Sequence, residues 1–243
     1  MSDVSAITTG RVATITIDRQ ARRNAVDLAA CDALGLAFTQ AAVDGARVIV
    51  LTGAGGHFCA GADLTGVEAD GFRAAIRRCL DAMRAVPVVT IAAIEGVAMG
   101  AGVQFAVACD LRVATPSARF GVPATKLGLA VDHITVQQVA AMIGGSQARA
   151  MLLASEELDG QRGFDLGIVN RLGSLEDAQS WATELAARAP LTIAAHKLAL
   201  NHLEPDLADR DVAAAVDTAW ASNDVKEGRA AFAEKRTPNF TGT

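Results

Sequence analysis

Only one stretch of the chain is long and apolar enough to suggest a membrane span, residues 85 to 109, and its interruptions decide against one. Pro87, Glu95 and several glycines break it, so it reads as a strand, a turn and a buried helix. Elsewhere the pattern alternates. "RVATITID" (11 to 18) is a β-branched strand, apolar residues return at helical spacing over 27 to 43, and "RVIVLTG" (47 to 53) is a short buried strand. A helix is expected over about 68 to 85, a strand over 87 to 96, a helix opened by Gly100, and a strand over 110 to 116. Such alternation predicts an α/β architecture with crossover units. Beyond Gly173 only helical periodicity remains, to about residue 236, broken at Pro190 and Pro205.

The 243 residues, 51% hydrophobic and 20% charged, suffice for one large domain or a domain with an appendage. A net charge of −5 argues against general binding to nucleic acid or to an anionic membrane, both of which need a positive field. Cys31, Cys59, Cys79 and Cys109 form no CxxC pair, and no basic leader opens the chain, so reduced, buried thiols in a cytoplasmic protein are expected.

Glycine-rich loops after strands first suggest a phosphate cradle and a doubly wound nucleotide-binding protein. Here Phe58 and Phe105 occupy the third glycine of each GxGxxG and no GK[ST] follows, so that reading is poor. His57, His133, His196 and His202 make no HExxH, and no Cys/His spacing suits zinc. A His57–Cys59 nucleophile lacks a third, orienting group. Asp132 and His133 are neighbours, which on a helix turns them about 100° apart. "CAGAD" (59 to 63) and "GAGVQ" (100 to 104) differ from these: tiny residues follow a strand where a helix can begin, leaving N–H groups without partners. Two such donors on one oxygen form an oxyanion hole; equally, both loops can be tight turns packed in the core.

In order, "RRNAV" (22 to 26), "VIVLTG" (48 to 53), "FCAGADL" (58 to 64), "EGVAMGAGVQFAVACDLRVA" (95 to 114), "KLGL" (126 to 129) and "AFAEKRTPNF" (231 to 240) resemble the crotonase family, the enoyl-CoA hydratase/isomerase superfamily, over nearly the full chain. The resemblance implies an α/β spiral of ββα units over residues 1–189 and a helical trimerisation region over 190–243, assembled as a homotrimer or dimer of trimers. It implies an acyl-CoA thioester as ligand, with coenzyme A entering as part of that ligand and no metal. It assigns the thioester oxygen to the N–H groups of Ala62 and Ala101. Arg22, Arg23 and Lys235 become the candidates for the CoA polyanion, and Phe232 packs on the adenine, often from a neighbouring subunit. Ala60, Asp63 and Leu64 of the first loop complete the implied CoA site.

The family's hydratases use two glutamates, and the matching positions hold Gln104 and Ala124. Glutamine exchanges no proton near neutral pH and alanine has no functional group. Acid–base groups typically contribute about 10²- to 10⁴-fold each, so hydration should be very slow without them. One substitute is Asp132, where some members carry a catalytic aspartate; burial against Leu129 and Ile134 is expected to raise its pKa. The competing reading makes Asp132 a helix N-cap, with Thr135 three positions on. The leading expectation is an acyl-CoA binder of lipid metabolism with weak or absent hydratase activity; the alternative is an active hydratase or isomerase using Asp132.

Overall fold

The structure, a computed structural model, describes residues 3–63, 69–127, 129–201, 218 and 221–243, without the side chains of residues 69, 70, 229, 232 and 233. A six-stranded sheet in the order β1-β2-β3-β4-β6-β9 forms its centre. β1 (Val4–Thr9) and β2 (Val12–Ile17) are an antiparallel hairpin; β3 (Val48–Gly53), β4 (Val89–Ile94), β6 (Leu111–Ala114) and β9 (Arg171–Leu172) continue it in parallel. A second sheet, β5-β7-β8, joins β5 (Val97–Met99), β7 (Arg119–Gly121) and β8 (Leu158–Asp159).

β3 and β4 are buried along their length because helices cover both faces of the sheet, which is why their sequences are continuous apolar runs. On one face Ile49 and Leu51 join a core built by Leu34 and Phe38 of α1 (Leu28–Val43), Leu80 and Met83 of α2 (Ala69–Ala85) and Phe105 of α3 (Ala101–Ala108). On the other, Val48, Val50, Val89 and Ile91 meet Ala178, Ala182 and Ala186 of α7 (Leu175–Ala186), whose small side chains let the helix lie close. Asp27 caps α1 by accepting the Ala30 N–H at 2.9 Å, and Ser174 with Asp177 closes a capping box on α7.

The expected strand over 87 to 96 is β4, and a short further strand, β5, follows it. Gly96 turns the chain between β4 and β5 at φ 59°, and a Cβ there would stand 2.3 Å from the Gly56 carbonyl oxygen. The run over 85 to 109 is therefore β4, β5 and α3, and no described helix is long and apolar enough to cross a membrane. All four cysteines are buried free thiols; burial pushes Cys31, Cys59 and Cys109 up to about 12. Beyond α7, the described helices are α8 (Pro190–Asn201) and α9 (Asn223–Glu234); Pro205 and His202 lie outside the described residues.

α8 is pinned to the sheet by Lys197, only 6% exposed, whose Nζ donates to the Val88 carbonyl and to Asp110 Oδ2, each at 2.8 Å. The same oxygen accepts the Thr90 N–H and hydroxyl at 2.7 and 2.9 Å. Asp110→Ala would leave a buried ammonium without its counter-charge, so we expect a loss of roughly 3 kcal/mol, read as a lowered urea midpoint with unchanged slope.

Candidate functional site

The loop after β3 does not stand free; it runs along β5 as a strand would. Phe58 N–H donates to Glu95 O at 2.8 Å, Cys59 N–H to Val97 O at 2.9 Å, and Met99 N–H back to Cys59 O at 2.9 Å. The Cys59 carbonyl also lies where a Cβ on Gly102 would come, at 2.3 Å, so only glycine lets α3 approach this closely. Gly61 (φ 109°) and Gly100 (φ 52°) make the two turns, and a Cβ on Gly100 would be 3.9 Å from Gly61 Cα. Gly100 N–H donates to Gly121 O at 2.9 Å, tying α3's first turn to β7.

This packing sets Ala62 beside the N-terminus of α3. The N-cap, Gly100, offers no side chain to the helix, so its first donors are not capped. Among the described residues, the N–H groups of Ala62 and Ala101 have no hydrogen-bond acceptor, while their neighbours Asp63 and Gln104 donate to Val26 O (2.7 Å) and Gly100 O (3.1 Å). Two unpaired donors at adjoining turns, one on a helix N-terminus, suit an oxygen that carries or gains negative charge.

"RRNAV" supports this loop from the other side. Asn24, fully buried at φ 60°, donates from Nδ2 to Ala54 O (2.8 Å) and His57 O (2.6 Å) and accepts the Arg19 N–H at 2.9 Å. Ala60 N–H donates to Arg23 O at 2.9 Å. Asp63 is buried and its Oδ2 accepts Arg19 Nη2 at 3.1 Å and Arg22 Nη1. The Asp63 carboxylate thus orients two guanidinium groups at the end of the loop. Arg22 is half exposed and Arg23 is exposed. Leu64 lies outside the described residues.

Gln104, in the first turn of α3 and 7% exposed, donates from Nε2 to Asp132 Oδ2 at 2.8 Å. Asp132 caps α5 (His133–Leu153): Oδ1 accepts the Thr135 N–H at 3.0 Å and Oδ2 the Thr135 hydroxyl. Burial would raise its pKa, but the Thr135 hydroxyl and N–H, the Gln104 amide and the nearby Arg84 guanidinium outweigh that and hold the carboxyl below its ordinary 3.8. The expectation of a raised pKa is thus overturned by the donors around the carboxylate. The N-cap reading is the one observed. Ala124 opens the short α4 (Ala124–Leu127) and packs against the main core. The roles of Thr135, Arg84, Arg19 and Asn24 are not evident from sequence; of these only Thr135 has a legible signal, its place three residues after a cap.

Lys235 is exposed, at φ 54°, just past α9, and Phe232 lies on α9 with its side chain outside the described atoms. α9 packs at Gly228 against the Phe240 ring, and Arg47 Nη2 donates to Phe240 O at 3.1 Å. Pro238, Asn239 and Phe240 share a cleft with Thr9, Gly10 and Arg11. That cleft is at the entry ends of β2 and β3, whereas the 58–63 loop leaves the exit end of β3. A single chain brings Ala62, Ala101, Gln104, Asp63 and Arg22 into one region, and Lys235 lies just past α9.

A mostly parallel sheet with a second, smaller one, with the loop after β3 laid on β5 and against a helix N-terminus, defines the α/β fold of the crotonase type. The family model described as enoyl-CoA hydratase/isomerase matches residues 8–243, so the chain belongs to that family. It is 43% identical over 239 residues to "Probable enoyl-CoA hydratase echA6" of Mycobacterium tuberculosis, covering 95% of this chain and 96% of that one. Among solved structures, it matches an enoyl-CoA hydratase/carnithine racemase from Magnetospirillum magneticum with a TM-score of 0.90 at 30% identity, covering 100% and 97% of the two chains. An enoyl-CoA hydratase from Mycobacterium tuberculosis matches with a TM-score of 0.86 at 33% identity and 99% coverage of both.

Two outcomes follow from this geometry. Gly102→Ala is expected to destabilise the protein by about 1 to 3 kcal/mol, because the methyl group meets the backbone carbonyl of Cys59; thermal unfolding measures it. For Asp132, a carboxyl held below its unfolded value stabilises the fold above that value and ceases to as pH falls through the folded pKa. The stability gap between wild type and Asp132→Asn should therefore be full at pH 7 and close in acid, which denaturant titrations at a series of pH values would read.

Proposed function

We propose that this protein binds fatty acyl-CoA and enoyl-CoA thioesters in lipid metabolism and has weak or absent hydratase activity. The observation that carries the reading is the pair of unpartnered N–H groups, Ala62 and Ala101, beside a glutamine that exchanges no proton. In this reading both N–H groups meet the thioester oxygen. Arg22, held by Asp63, and Arg23 answer part of the CoA polyanion near the 58–63 loop. Ala60 and Leu64 belong to the same loop.

Lys235 answers further charge of the CoA and Phe232 packs on its adenine, from a neighbouring copy. Residues 190–243 then act as the trimerisation region after a core of residues 1–189, in a homotrimer or dimer of trimers within the cytoplasm. Hydration needs a base for water and an acid for the α-carbon, and Gln104 and Ala124, at the positions where the family's hydratases carry glutamates, supply neither.

A second reading keeps the protein an enzyme. Asp132 is one hydrogen bond from the first turn of α3 and is the carboxylate best placed to act as base in hydration or isomerisation. Its lowered pKa makes it a weak base, so the binding reading is preferred. Incubation with crotonyl-CoA and longer 2-enoyl-CoAs separates the two. Binding without turnover supports the first; turnover at ordinary enzyme rates that Asp132→Asn abolishes supports the second.

A further inference from the structure

The cleft between the β1–β2 turn, the end of α7 and the tail after α9 has a volume of about 470 Å³, the size of a small-molecule site. Thr9, Arg11 and Asn239 line it, and their side chains have no hydrogen bond or ion pair among the described residues. Val12 and Ala186, both buried, and Phe240 give it an apolar wall. A second cation lies behind Phe240. Arg47 Nη2 donates to Phe240 O at 3.1 Å and the Arg47 N–H to Arg11 O at 2.8 Å, while Nη1 is sealed from solvent with no acceptor among the described residues. Burial, and then the neighbouring Arg11 guanidinium, lower the Arg47 pKa, an effect that Asp224 opposes. Among the described residues, no acidic side chain lines the cleft. The last turn of α7 borders it too, but the carbonyls of Glu184 and Leu185 are already answered by the Ala187 and Arg188 N–H groups.

We infer that this cleft is a second ligand site, separate from the acyl-CoA site, that takes a small organic carboxylate with an apolar body. The Arg11 guanidinium forks onto the carboxylate, the Asn239 amide and the Thr9 hydroxyl donate to it, and the carbon chain lies on Val12, Ala186 and Phe240. Each wall of the cleft selects against another class. An ammonium would face Arg11 with Arg47 behind it, and an inorganic phosphate would leave the apolar wall uncovered. The cleft lies at the entry end of β2, whereas the 58–63 loop leaves the exit end of β3, so both ligands can be held at once. A carboxylate bound here bridges the first hairpin to the tail after α9, which Arg47 already fastens at Phe240.

The test is a ligand-observed NMR titration of the intact protein with hexanoate, hexylamine and inorganic phosphate, repeated for hexanoate with saturating butyryl-CoA present. Wild type should bind hexanoate more tightly than either of the other probes, and butyryl-CoA should leave that affinity unchanged. Arg11 is exposed at the hairpin turn, so Arg11→Gln should fold normally, which an unchanged thermal unfolding midpoint checks. Hexanoate affinity should nevertheless fall by roughly tenfold or more in that variant, the worth of a hydrogen bond to a charged group. Asn239→Ala should weaken it by a smaller factor, because the amide is a neutral donor. Absence of hexanoate binding, equal binding of hexylamine or phosphate, or an affinity that survives Arg11→Gln overturns the inference. Displacement of hexanoate by butyryl-CoA would put the carboxylate in the acyl-CoA site and overturn it as well.

Discussion

The carbonyl of Cys59 holds the architecture of the site together. It accepts the Met99 N–H and it packs against Gly102, so one oxygen fixes the loop after β3 both to a strand and to a helix. Because β5 pairs with β7 and Gly100 donates to Gly121, the N-terminus of α3 has little freedom relative to residues 59–63. Preorganisation of this kind gives backbone donors their value: they need no rearrangement when a ligand oxygen arrives. The glycines at 61, 100 and 102 serve close approach and turning, which explains why this part of the chain resembles a nucleotide loop without completing its fingerprint.

Electrostatics are arranged in two layers around that contact. On one side Asp63 gathers Arg19 and Arg22, and Arg19 also pairs with Asp27 and Asp3, so the guanidinium groups beside the loop are held in place by carboxylates. On the other, Asp132 is enclosed by donors from Thr135 and Gln104. A carboxylate so satisfied is a good clamp and a poor base, since every donor it accepts favours the form that has already lost its proton. The same features that recommend Asp132 as a catalyst, its place and its burial, serve here to orient a neighbouring amide.

Much of this arrangement is legible in the amino-acid sequence. The β-branched runs at β2 and β3, Asp27 ahead of α1 and the two glycine loops each carry a local physical signal, and each is observed. β5, β7, β8 and β9 carry none, because two or three residues are too short for a period to register, and their pairing depends on distant partners. β1 is silent although it is six residues long: only Val4 is buried, so no apolar alternation marks it. For Asp132 the sequence points to the wrong direction of pKa shift, because one of the donors that decide it, Gln104, lies 28 positions away. The site residues come from resemblance to the family; periodicity and spacing alone leave open whether the glycine loops are a binding feature or packed turns.

The central claim is that Ala62 and Ala101 hold a thioester oxygen with their N–H groups. The most direct measurement is the infrared carbonyl stretch of a ¹³C-labelled acyl-CoA, labelled at the thioester carbon, free and bound. Two backbone donors in a largely buried site polarise the C=O bond, so the band is expected to move to lower frequency and narrow on binding. A bound thioester whose band stays at its position in water would contradict the account.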